Sequence, residues 1–461
     1  MFDMVLKNGN VFIDNQFNAM DLAIKGNKIA CLGENLQGEK EIDVAGLWVL
    51  PGAIDAHTHF SLPFAGKVSA DDFFTGTRAA AIGGVTTIID FLAQQGDEGV
   101  LESFERRKKL AEGAAVIDYS FHACIGRYSS EVISQMRQLA DYGLTSLKVF
   151  MAYGKTGLMQ SDHALMKIMR DCAEQGILLT VHAENGLLID ALVEEAEKSG
   201  KLDIEALKST RPLITEVEAI ERLALFARET GCKTYVVHTS SGAGAEVIRR
   251  HRAMATPIAA ETCPQYLYLD NSMLSGQTGH YFSCCPPIRE KTQQNKLWEC
   301  LEDGSLSVVA TDHCPFKKSE KDSGKNNILN LPMGLPGIET LPLLVLNGAL
   351  NHKISIEKAI RSISENPARI FGLYPEKGSL IPGTDADIMV FDPQRKWKIS
   401  NESLSMATDY SPYENLEITG KNTLTIFGGD VIYSEKSGWK GLQGRGRFLK
   451  RKKTDQSFFS F

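Results

Sequence analysis

The chain carries two histidines at the end of an apolar stretch, in Pro51-Gly-Ala-Ile-Asp-Ala-His-Thr-His-Phe60. The apolar residues before them predict a buried β-strand over 53–59. Because side chains alternate along a strand, His57 and His59 face the same side and project together at its C-terminal end. Imidazole nitrogens spaced in this way can chelate one metal ion. A His-x-His pair also arises by chance, so its meaning depends on the other residues of the chain that could join it.

Further groups of metal-binding type lie within or at the ends of other strand-like runs, and they are Lys148, His182, His238 and Asp312. A histidine at a strand end is more often a packed core or loop residue than a ligand. Lys148 is different, because it lies inside Ser146-Leu-Lys-Val-Phe150 and a buried ammonium is unfavourable without a partner. Together with the histidine pair, these residues predict a metal centre if the strand ends meet.

The elements that must bring them together are apolar, β-rich runs that alternate with helical patterns. The runs cover 53–59, 85–91, 116–124, 147–151, 178–182, 234–238, 257–262 and 306–312. Helical patterns such as 70–82, 161–174, 216–229 and 291–301 separate them. Eight such units predict an α/β fold, the parallel (β/α)₈ TIM barrel. In that fold active-site groups lie at the C-terminal ends of the strands, so all the candidate ligands would share one face.

The two chain ends have a different texture, because short strands joined by Gly and Asn turns fill both 2–50 and the region after 386. Neither piece has enough strands for a stable sheet alone. We therefore predict that 1–52 and 376–440 together form a small β-sandwich beside a barrel at 53–375. The remaining residues, 441–461, form a C-terminal tail.

Composition excludes several classes of protein. The chain has 461 residues, 43% of them apolar, and a net charge of −7, which argues against nucleic acid or an anionic membrane as a partner. Its nine cysteines show no paired short spacing, and no secretory signal or membrane-length apolar run is present. We expect a soluble cytoplasmic protein with reduced thiols.

Several longer motifs resemble the dihydropyrimidinase and hydantoinase branch of the amidohydrolase superfamily, and the likeness is to D-hydantoinases. The resemblance runs nearly end to end. It rests on Gly83-Gly-Val-Thr-Thr87, Val116-Ile-Asp118, the 145–153 segment, Glu261-Thr-Cys-Pro-Gln-Tyr266, Pro286-Pro-Ile-Arg289, Phe371-Gly-Leu373, Asp385-Ala-Asp387, Tyr410-Ser-Pro-Tyr413 and Gly444-Arg-Gly-Arg-Phe448.

The resemblance implies that Lys148 reacts with CO₂ and that the resulting carbamate bridges two divalent metal ions. Zinc is the default for such a set of nitrogen and oxygen donors. The other ligands implied are His57, His59 and Asp312 for one ion, and His182 and His238 for the second.

Two residues have implied catalytic roles. Asp312 would act as general base and then as general acid, and Tyr153 would donate a hydrogen bond to the developing oxyanion. His313 should point away from Asp312, which favours a structural role outside the ligand set. For His122, on the third predicted strand, core packing is favoured over function.

The implied substrate is a small cyclic imide or ureide, a dihydropyrimidine or a 5-substituted hydantoin opened to an N-carbamoyl amino acid. Tyr153, Cys285 and Met333 occupy the implied substrate-binding positions, where hydantoinases usually have Ser for Cys285 and Asn for Met333. Allantoinase and dihydroorotase are the alternative enzymes; Arg289 could pair with a dihydroorotate carboxylate, but Pro-Pro-x-Arg occurs across the branch. A non-catalytic scaffold relative is a further alternative, marked by loss of metal ligands, whereas all six are present here.

The tail at 441–461 carries aromatic residues among Arg and Lys, namely Phe448, Phe458, Phe459 and Phe461. Exposed aromatics at a chain end lower solubility unless something covers them. The family resemblance suggests that this tail packs on a neighbouring subunit, and we therefore predict a homotetramer built as a dimer of dimers with closed symmetry.

Overall fold

An eight-stranded parallel sheet lies at the centre of the computed structural model, which describes residues 1–64, 66–95, 98–126 and 128–459. Its strands neighbour one another in chain order. The strands are Ala53–Thr58, Val85–Phe91, Asp118–Cys124, Ser146–Phe150, Leu178–His182, Thr234–Val236, Ile258–Thr262 and Val308–Val309. Thr58 bridges in parallel to His313, just beyond the eighth strand, which brings the first and last strands together. The predicted TIM barrel is confirmed.

Helices surround this barrel and connect its strands. They are Phe73–Gly83, Val100–Ala111, Ser130–Leu139, Asp162–Gln175, Gly186–Ser199, Ala206–Thr210, Leu213–Thr230, Gly242–Ala253, Pro264–Tyr268, Thr292–Glu302, Lys318–Asp322, Leu341–Leu350, Ile356–Ser362 and Glu365–Ile370. Two of them begin within a few residues of a predicted ligand. Asn185 caps the helix that follows His182, and Ser241 caps the helix that follows His238, each through a side-chain oxygen. No helix in the described ranges is long and apolar enough to cross a membrane.

A second sheet of nine strands is built from both chain ends. The strands are Phe2–Ile13, Gln16–Lys25, Lys28–Gly33, Gly38–Asp43, Trp48–Pro51, Ile388–Lys398, Glu417–Phe427, Asp430–Ser434 and Gly438–Trp439. Trp48–Pro51 pairs antiparallel with Ile388–Lys398, which joins the two ends, and the sheet encloses a hydrophobic core of its own. The prediction that the ends meet is confirmed, while the domain boundaries at 52, 375 and 440 stay predictions. A short hairpin, Pro63–Phe64 and Lys67–Val68, lies apart from both sheets.

A buried charge cluster joins the barrel to the second sheet. The Nζ of Lys377 lies 2.8 Å from Asp118 Oδ2, 3.0 Å from Asp385 Oδ2 and 2.5 Å from Asp387 Oδ2. Burial alone would lower the pKa of Lys377, but these three carboxylates raise it above its usual range. The charge of Lys377 is therefore paired, and its ion pairs connect the barrel to the second sheet.

The C-terminal tail packs on its own barrel. Tyr119 N donates to Arg447 O at 3.0 Å and Leu449 N donates to Tyr119 O at 2.7 Å, so the tail runs beside the third barrel strand. The Phe448 ring stacks on Phe121 with centroids 5.9 Å apart. The chain's own barrel thus covers part of Phe448, and the contact between the tail and a neighbouring subunit stays a prediction.

Tail residues up to 459 also pack against the core of the barrel. Phe459 is buried in a cluster with core residues of several strands, and Phe458 packs against that cluster. Arg451 is 4% exposed, and its guanidinium donates to Ser120 Oγ, Phe121 O and Ser146 Oγ. Phe461, which contributed to the tail prediction, lies outside the described residues.

Candidate functional site

The predicted ligands converge at the C-terminal face of the barrel. His57 Nε2 lies 3.1 Å and His59 Nε2 lies 3.0 Å from Asp312 Oδ1. His182 Nδ1 lies 3.0 Å from His238 Nε2. His57, His238 and Asp312 each place one possible ligand atom within 4.8 Å of the other two. Residues that are far apart along the chain thus form one cluster of donors.

The backbone turns sharply where three of these side chains enter the site. His238, Asp312 and Tyr153 have φ values of 41°, 53° and 70°, in the left-handed region that side chains other than glycine seldom occupy. Such conformations persist only where surrounding structure enforces them, and they concentrate at functional sites. Each of these residues lies just beyond the end of a barrel strand.

Lys148 lies in the wall of the site without a polar partner. Its Nζ is 4.9 Å and 5.2 Å from the ring centroids of Phe91 and Phe150, and it makes no hydrogen bond or ion pair with the described residues. Burial lowers the pKa of Lys148 to about 8, against the opposite effect of Asp312 and Glu261. The neutral amine is therefore more populated near neutral pH than in an ordinary lysine, although the charged form still predominates.

Glu261 is a site residue that the sequence analysis did not assign. Its Oε1 accepts a hydrogen bond from His57 Nδ1 at 2.5 Å and from the backbone N–H of His238 at 3.0 Å, and its Oε2 accepts from Tyr235 Oη at 2.9 Å. Bonding at Nδ1 leaves the other nitrogen of His57 to face the site. A carboxylate inside an apolar strand was the signal available, because a buried charge requires partners.

Glu184 has the same relation to His182. His182 Nε2 donates to Glu184 Oε2 at 2.8 Å, which leaves Nδ1 to face the site. Arg211 Nη1 donates to the same oxygen of Glu184. Burial raises the pKa of Glu184, but Arg211 and His182 outweigh it and lower the pKa to about 2, so this carboxylate stays ionised. Neither Glu184 nor Arg211 was predicted.

The predicted substrate-binding residues are partly brought together. The Tyr153 ring centroid is 4.9 Å from that of His182. Burial raises the pKa of the Cys285 thiol to about 11, with Arg211 and a hydrogen bond to Tyr153 acting in the opposite direction. Met333 is half-buried in a segment joined to that of Cys285, because Gly334 N donates to Ser283 O at 2.9 Å.

Two other histidines near the site have structural roles. His122 bonds through Nδ1 to Ser146 Oγ at 2.6 Å and through Nε2 to Ala56 O at 2.9 Å. His313 bonds through Nε2 to Asp71 at 3.1 Å and accepts the Gly337 N–H at Nδ1. Both rings are fully engaged, in agreement with the packing and structural roles predicted for them.

The donor set fits divalent cations. The buried ring atoms His59 Nδ1 and His238 Nδ1 have no hydrogen-bond partner among the described residues, and His57 Nε2 faces Asp312 Oδ1 at 3.1 Å. Burial would lower the pKa of His57, but Glu261 and Asp312 raise it to about 9, so the electrostatic potential there favours positive charge. Imidazole nitrogen and carboxylate oxygen are ligand types that zinc and similar ions accept.

Comparisons with known proteins agree with this geometry. The model of the amidohydrolase family matches residues 48–432. A D-hydantoinase of Streptomyces coelicolor is 38% identical over 458 residues, covering 97% of each chain, and one of Geobacillus stearothermophilus is 38% identical over 456 residues, covering 97% of this chain and 96% of its own. The solved structure of a dihydropyrimidinase from Brevibacillus agri superposes with a TM-score of 0.95 at 36% identity, covering 98% of this chain and 99% of its own.

These matches extend over both sheets and the site, and the family consists of metal-dependent hydrolases. The chain therefore belongs to the amidohydrolase family and, within it, to the hydantoinase and dihydropyrimidinase branch.

Proposed function

We propose that this chain hydrolyses the cyclic amide bond of a dihydropyrimidine or a 5-substituted hydantoin. The oxygen of water goes to the carbonyl carbon, a proton goes to the ring nitrogen, and the product is an N-carbamoyl amino acid. The observation that carries the proposal is the convergence of four histidines and Asp312 around the barrel mouth, with Lys148 in its wall. The names of the matching relatives, D-hydantoinase and dihydropyrimidinase, support it.

We propose that His57, His59 and Asp312 hold one divalent ion, that His182 and His238 hold a second, and that both are zinc. Lys148 would bridge them as a carbamate, formed when its neutral amine adds to CO₂ and releases one proton. The lowered pKa and missing polar partner of Lys148 support this reaction. Bound in this site, the ions would polarise the substrate carbonyl and acidify water.

Asp312 supplies the proton transfers in this proposal. Its carboxylate takes a proton from the attacking water and returns it to the leaving ring nitrogen. Burial would raise the pKa of Asp312, but His57 and His59 hold it well below the usual range, so the carboxylate is ionised before water attacks.

Tyr153 supplies a hydrogen bond to the oxyanion. Burial raises the pKa of its phenol well above 10.0, which keeps the O–H protonated as a donor. We also propose that the Cys285 and Met333 segments contact the substrate ring, since Cys285 lies beside Tyr153.

Arg289 is the candidate partner for a dihydroorotate carboxylate. It is mostly buried, with Nε donating to Ser240 Oγ at 2.9 Å and Nη1 to the Arg211 carbonyl at 2.6 Å. Its Nη2 has no hydrogen-bond partner among the described residues, so the dihydroorotase alternative is decided by the substrate comparison below.

A turnover screen of the zinc-loaded protein tests the function. Dihydrouracil, 5-substituted hydantoins, allantoin and dihydroorotate are compared, with the N-carbamoyl product measured directly. We expect turnover of the first two classes and its loss in Asp312→Asn. Faster turnover of allantoin or dihydroorotate would replace the proposal with that alternative, and no turnover with full metal content would favour the scaffold alternative.

We propose a homotetramer and a cytoplasmic location. Closed symmetry is the usual form of soluble oligomers, and all nine cysteines are free, as a reducing compartment would leave them. Light scattering tests the assembly, and a monomeric mass at micromolar concentration would overturn it. We also propose the domain division at residues 52, 375 and 440.

A further inference from the structure

The guanidinium of Arg211 lies against the ring of Tyr153 at the edge of the site. Its Cζ is 5.2 Å from the ring centroid, a distance typical of a cation–π contact. Tyr153 has a φ of 70° and lies between the fourth barrel strand and the 3₁₀ turn Gly154–Thr156, so the direction of its ring depends on the side chains packed against it. A phenol that donates to one developing oxyanion needs a fixed ring, and the stacked guanidinium can supply this restraint.

Residues that follow His182 and His238 in the chain hold Arg211 in place. Glu184, two residues after His182, accepts a hydrogen bond from Arg211 Nη1. Ser240, two residues after His238, accepts from Arg289, which in turn donates to the backbone carbonyl of Arg211 at 2.6 Å. Both the side chain and the backbone of Arg211 are thus held by the frame that orients the candidate ligands.

The exposure of these groups supports a role at the site and not on the surface. The side chain of Arg211 is 11% exposed and that of Glu184 is fully buried. Arg211 also lies close enough to Cys285 to lower the pKa of its thiol against the effect of burial. The planar guanidinium of Arg211 therefore lies between Tyr153, Glu184 and Cys285.

We propose that Arg211 is a positioning residue that holds the Tyr153 phenol in place for the oxyanion. The inference rests on the proposed function, and it adds that Arg211 acts through Tyr153 and not on the substrate. Arg211 links the frame around His182 and His238 to that phenol, so its removal should disturb turnover more than metal binding.

A double-mutant cycle tests this role with Arg211→Met, Tyr153→Phe and the double variant, each zinc-loaded and assayed on a hydantoin. Loss of an oxyanion donor lowers kcat by about 10²–10³-fold, which is expected for Tyr153→Phe. We expect Arg211→Met to lower kcat by about 10–100-fold, as misplacement of a catalytic group does. The double variant should equal Tyr153→Phe. The matched control is Arg222→Met, whose guanidinium pairs with Asp162 and Glu218 on outer helices and which should keep the wild-type rate.

Independent losses that multiply in the double variant would overturn the inference and leave the proposed function intact. Metal content that falls in parallel with kcat in Arg211→Met would also overturn it, since the role would then be structural. If Arg211→Met does not fold, Arg211→Lys keeps a cation for Glu184 without the planar group, and a wild-type kcat in that variant would contradict the inference. Failure of both variants to fold would make Arg211 structural. Failure of the proposed function is different, because the wild type would then hydrolyse none of the cyclic amides.

Discussion

Lys148 has no polar partner among the described residues, although it is buried beside four histidines and a carboxylate. If its carbamate bridges two ions, Lys148→Ala should lose bound metal and activity together, and a short carboxylic acid should restore part of both. Metal analysis and turnover with and without added acid measure this. Lys155→Ala, which removes an exposed lysine paired with Glu197, is the control. An alanine variant with both ions and near-normal turnover would exclude the bridge.

Asp312→Asn tests proton transfer separately from metal binding. The amide keeps a ligand oxygen but cannot accept and return the proton, so we expect most of the metal to remain while kcat falls by about 10²–10⁴-fold. A fall of less than about tenfold at saturating metal, below the range for general acid–base groups, would point to another base. His122 is a poor candidate for that base, because both of its ring nitrogens are bonded within the barrel.

The candidate ligands could be predicted from the sequence, but the residues that orient them could not. His57 and Lys148 stand out within a few neighbouring letters, whereas His57 and its partner Glu261 are 204 positions apart. Nothing local to Glu261 indicates which side chain it will meet. Arg211 was missed for the same reason, since its meaning depends on the approach of Tyr153, from a distant part of the sequence, in the folded chain.

At the scale of elements, the helix Lys318–Asp322 joins the two segments proposed to contact substrate. Lys321 is buried and its Nζ donates to Ser283 O and Oγ at 2.9 Å and to Gly334 O at 2.7 Å. These oxygens lie in the segments of Cys285 and Met333. Lys321→Met should therefore lower the free energy of unfolding by about 1–3 kcal/mol, the usual effect of leaving buried polar groups unpaired, and raise KM for the hydantoin.

The stability difference should also depend on pH. Burial lowers the pKa of Lys321 from 10.5 to about 7. Between pH 7 and pH 10.5 the Lys321 side chain is protonated in the unfolded chain and neutral in the folded chain. The contribution of Lys321 to stability therefore rises with pH and is lost as the pH falls towards 7. The melting temperature of the wild type minus that of Lys321→Met should thus increase from pH 7 to pH 9. Lys325→Met, at an exposed position, should show no such change, and a constant difference for Lys321→Met would contradict the prediction.

Element positions can be read from periodicity, but their ends at the site cannot. The predicted helix over 70–82 is Phe73–Gly83, and the predicted strand over 178–182 is Leu178–His182. The sixth and eighth strands end earlier than predicted, at Val236 and Val309. In both, the chain continues to a candidate ligand in left-handed backbone, which a pattern of apolar residues cannot indicate.

At the scale of the whole molecule, the tail illustrates why long-range packing escapes sequence analysis. Aromatic and basic residues at a chain end give the same pattern whether they cover a neighbour or the chain's own barrel. Here the side chain of Arg451 is buried in the barrel, and burial lowers its pKa to about 9. Its guanidinium donates a hydrogen bond to Ser146, two residues before Lys148. The tail thus supports the strand that carries the candidate bridging lysine.

Truncation after Lys440 should therefore do more than change the oligomer's mass. It removes the packing of Phe448 and Phe459 and the buried hydrogen bonds of Arg451, so we expect a lower melting temperature together with loss of metal. Arg451→Met isolates the polar part and should lower the free energy of unfolding by about 1–3 kcal/mol. Its control is Lys450→Met, the exposed neighbour, which should melt as the wild type does. Calorimetry, metal analysis and light scattering on the three variants separate the possibilities. A truncated protein that keeps its metal and melting temperature but scatters as a smaller oligomer would show that the tail acts mainly between subunits.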